Sequence, residues 1–348
     1  MKNKNDKNNS FNDKVILLSH GDGGIKSSQL INNIIVKYFG NNILNKLEDS
    51  AIIKNTNFNK IAYTTDSFTV KPLFFPGGDI GKLSICGTIN DLVTSGAIPI
   101  ALSMGLIIEE SLEVNILEKI FDSALKILKE TNTNIVTGDT KVVEKNSIDK
   151  LFINTSGIGF IKDNVNISPL NIKVGDKILI NGGIAEHGLA VLSTRPEFNF
   201  KTNILSDCAP LSSLVEDILN VSNKIHALRD ATRGGLATVL LEMSDKSKTN
   251  MIIFEEKIPI KKEVNSLCEF LGLDPLYIAN EGKMVIFVDA SDAEVVLEAM
   301  KKNKYGKESC IIGEVTQKSD NNIVTLKTKI GTERIIDKFY SEQLPRIC

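Results

Sequence analysis
The sequence predicts an α/β protein of two domains in tandem, and three observations carry that expectation. At 348 residues the chain is too long for one ordinary hydrophobic core. Strand-like and helix-like stretches alternate through both halves. A polar stretch containing a proline, DNVNISPLNIKVGD, interrupts the alternation near residue 165. The expected organisation is a disordered leader over 1–14, a first domain over 15–165, a second over 166–337 and a mobile tail over 338–348. A formal net charge of -2 gives no overall drive toward nucleic acid or an anionic membrane. No apolar run reaches the roughly 18–20 residues that span a bilayer.

The leader MKNKNDKNNSFNDK lacks the apolar segment of a secretory signal. VILLSHGDGG reads as a short strand running into a glycine turn. SSQLINNIIVKYFGNNIL then places Leu30, Ile31, Ile34, Ile35 and Phe39 at helical spacing. KIAYTTDSF is a strand with a polar end. FFPGGDIGKLSICGTINDLVTSGA opens with a Pro-Gly-Gly turn and continues as a helix of small residues. PIALSMGLII is a strand, and EVNILEKIFDSALKILKETN an amphipathic helix, acidic early and basic late as the macrodipole prefers. NIVTGDTKVVEK is a strand followed by a turn, and KLFINTSGIGFI closes the first half as a strand.

The second half repeats the mixture. A strand at KILING meets a glycine turn and a helix, and HALRDATRGGLATVLLEMSDK reads as a loop feeding a helix. The strand IIFEEKIPI, the helix VNSLCEFLG, the segment ANEGKMVIFVDA and the helix DAEVVLEAMKKN follow. CIIGEVTQK and NIVTLKT form a closing β-hairpin in this reading.

The five cysteines are scattered without CxxC spacing, and the three histidines stand apart, so the pattern does not suggest zinc. Reduced thiols in a cytoplasmic protein fit best, with the four internal cysteines as small buried hydrophobes. HGDGG, from His20 to Gly24, is neither common phosphate loop. Ile25 separates Gly24 from Lys26, and Lys26 stands where a dinucleotide fingerprint needs glycine. It is a tight turn, or a loop whose backbone N–H groups approach an anion.

Three acidic segments in the first half draw more attention: TTDS with Asp66, TIND with Asn90 and Asp91, and VTGDTK with Asp139 and Lys141. One such aspartate usually caps a helix or makes an Asx-turn. Three, beside glycine loops and without a histidine or cysteine cluster, suggest hard oxygen ligands for magnesium carried by nucleotide phosphates. Lys141 can place a positive charge on a transferring phosphoryl group. LRDATRGGL puts Arg229, Asp230 and Arg233 before a glycine-rich helix start, either as a capped helix with a surface ion pair or as an anion site. In ANEGK, Glu281 sits between an amide and a glycine, as an ordinary turn would also have it. The final residue, Cys348, is an accident of where the chain stops or a chemical handle. A prenyl anchor would need cysteine four residues from the end.

These residues in this order resemble the PurM-like ATP-binding superfamily. PLFFPGGDIGKLSICGTINDL, IVTGDTKVV, SDCAPL, ALRDATRGG, IANEGK and the terminal PRIC narrow the resemblance to the HypE family of carbamoyl dehydratases. It extends from about Val15 to Cys348. It implies a two-domain PurM-like fold: an α/β ATP-binding N-terminal domain, an α+β C-terminal domain and a flexible tail. It also implies a cytoplasmic homodimer with nucleotide near the subunit interface, and ATP and Mg2+ as cofactors. The HypF carbamoyltransferase would load a carbamoyl group onto Cys348. ATP-dependent dehydration of that S-carboxamide would leave a thiocyanate, whose cyanide passes to the iron of the HypC–HypD complex for a nickel–iron hydrogenase. By motif, Asp66, Asp91 and Asp139 would hold Mg-ATP, with Asn90 nearby. Asp22, Gly23, Gly24, Arg229, Asp230 and Arg233 would complete the nucleotide site, and Lys141 and Glu281 would flank the reacting carboxamide.

The chemistry makes these residue types intelligible. An amide oxygen becomes a leaving group once phosphorylated, and two N–H protons must then depart. Glu281 can accept a proton; Lys141 can do so only where a dry, cationic surrounding lowers its pKa. The residues from Lys338 to Cys348 reach up to roughly 33–36 Å when extended, enough to cross a domain. A sibling kinase or synthetase with a diffusible substrate would explain the acidic segments but not Cys348. A nucleotide-binding scaffold would use the tail only for docking. ATP hydrolysis that depends on a carbamoylated tail separates the three.

Overall fold
The computed structural model describes residues 13–20, 25–46, 60–198 and 201–337. Asp22, Gly23, Gly24 and the whole tail with Cys348 lie outside the described residues. Val15 makes a single antiparallel bridge to Glu113 rather than starting a strand, and Leu18–His20 is a 3-10 turn. The segment is clipped to one turn: the Ile16 N–H donates to the Leu112 carbonyl, and its own carbonyl accepts from Ser111.

Helices α1 (Ile25–Leu30) and α2 (Val36–Phe39) join through a π-helical turn at Ile31–Ile35. Then come β1 (Lys60–Phe68), the two-residue strands β2 (Phe74–Phe75) and β3 (Gly78–Asp79), and helix α3 (Ile80–Thr94). Asp79 caps α3 by accepting from the N–H groups of Gly81 and Lys82. β4 (Ile98–Glu109), α4 (Val114–Glu130), β5 (Asn134–Val143) and β6 (Leu151–Ile161) complete a four-stranded sheet ordered β1-β6-β4-β5. Only β4 and β5 are parallel, as the α4 crossover between them requires. Helix α4 buries Leu117, Ile120, Phe121, Ala124 and Leu128, a stripe at helical period. Phe121 is fully buried with its ring centroid 4.9 Å from that of Phe39; its truncation to alanine would cost about 3–5 kcal/mol.

Among the described residues, the helices cover one face of this sheet and leave the other open. On β1 the side chains alternate: Thr64 and Phe68 turn toward α3, while Ile61 and Tyr63 face outward and are 65% and 68% exposed. VTGDT is not a strand and a turn: β5 runs on to Val143 because β4 beside it continues to Glu109, so Asp139 and Lys141 lie within the strand.

The second sheet has seven strands ordered β13-β12-β9-β11-β7-β10-β8. In chain order the elements are β7 (Lys177–Ile180), α5 (Glu186–Leu192), α6 (Ser212–Val221), β8 (Ile225–Asp230), α7 (Gly235–Ser247), β9 (Thr249–Phe254) and α8 (Lys262–Leu271). β10 (Met284–Val288), α9 (Ala293–Lys302), β11 (Cys310–Lys318), β12 (Val324–Lys327) and β13 (Glu333–Ile335) follow. HALRD is a strand, not a loop: β8 is buried on both faces, so the alternation that marks a half-exposed strand is absent. β11 and β12 are not a hairpin. β9 lies between them, and β12 pairs with β9 in parallel. The connection crosses the end of β9, where Met251 N–H donates to Ile323 and Ile323 N–H donates to the Asn250 side chain. Among the described residues, no helix is long and apolar enough to cross a membrane.

Cys86, Cys208 and Cys268 are buried as expected of apolar fillers, while Cys310 is partly exposed. His226, isolated in sequence, has company in space: its Nδ1 lies 2.8 Å from Asp176 Oδ2.

Candidate active site
Where the two sheets meet, a polar cleft of about 520 Å³ is lined by residues from both halves, among them Asp66, Asp91, Arg229, Asp230, Arg233 and Glu281. Asp66 comes from the end of β1, where its Oδ1 accepts the Ser67 N–H at 2.8 Å. Asp91 comes from the helix behind, α3, and accepts from Thr64 Oγ1 at 2.9 Å. That bond ties helix to strand and sets the two carboxylates side by side. Asp230 arrives from the other half, as the last residue of β8. The β8–β10 ladder then continues past the strand ends. Ala231 N–H donates to Lys283 (2.9 Å) and Asn280 N–H to Ala231 (3.1 Å), which carries Glu281 to the same cleft.

The electrostatics are those of a site short of positive charge. Burial raises the pKa of Asp66, opposed by the Ser67 hydrogen bond and by Arg233. Burial likewise raises Asp91, with the Asp66 charge adding and the Thr64 hydrogen bond opposing. Asp230 is pushed up to about 7, first by burial and then by Asp91, with Arg229 only partly compensating. Glu281, 4% exposed, is raised well above the usual carboxylate range by burial, with further contributions from Cys208, Asp207, Asp230 and Asp66. Arg229 also reaches Glu242 on α7 at 3.4 Å. Asp66, Asp91 and Asp230 raise one another's proton affinity, although their oxygens do not all lie within 4.8 Å of one another; drawing together on a hard divalent cation such as Mg2+ would relieve that repulsion.

Two expected members lie elsewhere. Strand register places Asp139 opposite Gly105, Gly105 opposite Asn154, and Asn154 opposite Ser67. Asp139 is thus three strand spacings, roughly 14 Å, from β1. Because directly paired residues share a face, Asp139 and Lys141 lie on the open face with Ser67, opposite to the face of Asp66. Both are more than two-thirds exposed, 3.9 Å apart. Of the three aspartates expected together, Asp66 and Asp91 line the cleft of one chain, with Asp230 beside them, and Asp139 does not.

Asn90 does not line the cleft either. It is buried one layer behind. Its Nδ2 donates to the carbonyls of Ala209 (3.0 Å) and Glu281 (3.3 Å), and its Oδ1 accepts from Leu211 N–H (2.8 Å). Asn154 is a residue that sequence reasoning missed: its Nδ2 donates to the Asp66 carbonyl and to Ser67 Oγ, both at 2.9 Å, and so fixes the end of β1. Nothing in INTSG marks it, because its role rests on β1 and β6 being neighbours.

Residues 47–161 match the family described as AIR synthase related protein, N-terminal domain, and residues 173–325 match its C-terminal domain. The chain is 43% identical to the carbamoyl dehydratase HypE of Cupriavidus necator, over 95% of this chain and 94% of that protein. A crystal structure of hydrogenase maturation protein HypE in complex with ATP superposes with a TM-score of 0.90 at 43% identity, covering 95% of this chain and 99% of the other. A chain in a crystal structure of a HypE–HypF complex, 50% identical, gives 0.77, covering 89% of this chain and 99% of that one.

Proposed function
The chain belongs to the HypE family of carbamoyl dehydratases, hydrogenase maturation proteins of the AIR synthase related fold, and on that footing we propose how its residues divide the work. The enzyme dehydrates the S-carboxamide of its terminal Cys348 to a thiocyanate at the expense of ATP, and so supplies cyanide for the iron of a hydrogenase. The observation that carries the assignment is the convergence of Asp66, Asp91 and Asp230 beside Arg229, Arg233 and Glu281 in one cleft.

Asp66, Asp91 and Asp230 would hold Mg2+, which when bound neutralises charge on the nucleotide phosphates. Arg229 and Arg233 offer planar donors to phosphate oxygens. The carboxamide oxygen takes the γ-phosphoryl group and ADP leaves. The C–O bond then breaks, phosphate departs, two N–H protons are lost and C≡N remains. Glu281 accepts a proton: it lines the cleft, and burial raises its proton affinity above that of a free carboxylate. Water must be kept from the phosphorylated intermediate, which would otherwise hydrolyse.

The open face of the first sheet supports a homodimer. Among the described residues, Ile61, Tyr63 and Ile107 stand exposed there beside Asp139 and Lys141, on a face that no other element covers. A second copy on this face buries the apolar side chains and can bring its Asp139 and Lys141 to the partner's cleft. HypF loads Cys348, and the HypC–HypD complex receives the cyanide. Mixing tests the shared site. Asp91→Asn and Asp139→Asn should each abolish Mg-dependent ATP binding, and an equimolar mixture should regain part of it through mixed dimers with one intact site. No recovery after subunit exchange would place Asp139 in its own chain's site; full ATP affinity in both variants would remove the assignment altogether.

A further inference from the structure
The SDCAPL segment carries an acidic residue to which the reaction scheme gives no part. Asp207 has a side chain only 1% exposed. Its carboxylate accepts the Glu281 N–H at 3.2 Å and the Gly282 N–H at 3.0 Å, one on each oxygen. Lys283 Nζ stands 3.4 Å from the same carboxylate and 3.8 Å from Glu186. The other polar groups around the turn are held in the same manner. The Glu281 carbonyl accepts from Asn90, the Gly282 carbonyl from Asn181 at 3.0 Å, and the Asn280 side chain bonds Ala185 and Ala231. Gly282 is required here. A Cβ would lie 2.0 Å from the Asp207 carbonyl oxygen, so the two backbones approach more closely than any side chain allows.

A buried aspartate is costly, and a surface loop needs none to make a turn. Its two oxygens are both spent on consecutive N–H groups, one of them belonging to the base. A carboxylate that accepts paired backbone N–H groups holds them more tightly than a neutral acceptor would. We propose that Asp207 is a positioning residue for dehydration, a buried bracket that fixes the Glu281–Gly282 backbone so that the Glu281 carboxyl meets the carboxamide protons in the productive geometry. The inference rests on Glu281 as the proton acceptor. Asn90 supports the opposite side of the turn, and Lys283 balances the charge of the bracket.

Asp207→Asn keeps the shape but can accept only one of the two N–H groups. A displacement of the base by about 1 Å costs on the order of 100-fold in rate. In single-turnover dehydration of carbamoylated protein with ATP, the variant should therefore lose about 10- to 100-fold, with the KM for ATP within about twofold of wild type. Because Asp207→Asn leaves the buried Lys283 with only Glu186, at 3.8 Å, as a charge partner among the described residues, Asp207→Asn combined with Lys283→Met serves as the second variant. It removes both charges, and should melt near wild type yet show the same loss of rate. The discriminating measurement is Asp207→Asn in a Glu281→Gln background: once the base is gone, its bracket should matter less than about threefold. A full multiplicative loss in that background, or an ATP KM that rises in step with the fall in rate, would overturn the positioning role. Wild-type turnover by both Asp207 variants would do so as well. If instead Glu281→Gln alone dehydrates normally, it is the reading of Glu281 that fails.

Discussion

Asp230→Asn perturbs the cleft by one proton site and almost no volume. The carboxyl rests at about 7 in the folded chain against an ordinary 3.8. At about 1.4 kcal/mol per pH unit, that gap amounts to on the order of 4 kcal/mol. The folded chain keeps this proton after the unfolded chain has released it. The group's favourable contribution is thus complete below about pH 4 and is lost progressively as pH rises to about 7. Above that, the ionised carboxylate burdens the metal-free protein by the whole amount. Asparagine never ionises. In EDTA at about pH 8, Asp230→Asn should melt several degrees above wild type, and the gap should narrow to about 1–2 kcal/mol at about pH 5. Added Mg2+ should reverse the order at the higher pH, because only the wild type offers the third carboxylate. The assay is thermal melting across this pH range with and without Mg2+. Parallel pH profiles for the two proteins, or equal stabilisation by Mg2+, would remove Asp230 from the metal set.

Glu281→Gln should bind ATP and accept the carbamoyl group but form thiocyanate only at a small residual rate, which the mass of the intact protein followed over time would reveal; full-rate dehydration removes Glu281 from the mechanism. Gly282→Ala should lose dehydration and about 1–3 kcal/mol of stability, measured by denaturant melting, because its Cβ would meet backbone rather than a movable side chain, the Asp207 carbonyl oxygen at 2.0 Å and the Ala209 nitrogen at 3.1 Å. Tyr63→Glu places a charge on the open face of the first sheet and should shift the proposed dimer toward monomer in light scattering, with Mg-dependent ATP binding falling alongside. Unchanged mass in solution would mean that this face is not the interface.

Much of the architecture is legible in the sequence because local period and burial agree. KIAYTTDSF, read as a strand with a polar end, is β1 at those bounds, and the α4 stripe falls where its apolar residues recur. What escapes depends on the third dimension. No spacing in the sequence reveals that β5 lies at the far edge of its sheet, three strands from Asp66. Asp139 therefore reads as lying beside Asp66 and Asp91 in one chain, while Asp230, in a strand buried on both faces, does not stand out as a residue of the same cleft. Asn90 is equally illegible from spacing. Its neighbour Asp91 faces the cleft, but one residue further back along α3 the side chain points into the core and braces the Glu281 turn. Asp207 is visible only as part of a motif, since its two N–H partners come from a segment more than seventy residues away.

Everything proposed for the cleft depends on Cys348 carrying the group on which it acts. The direct measurement is the mass of the intact protein through one cycle. Wild type exposed to the carbamoyl donor should gain one carboxamide, and ATP should then remove one water. Cys348→Ala should still bind ATP and show neither step, and Cys348→Ser should also fail because an alkoxide is far harder to form than a thiolate at neutral pH. The same two mass changes in the Cys348→Ala protein would mean that the group is carried elsewhere.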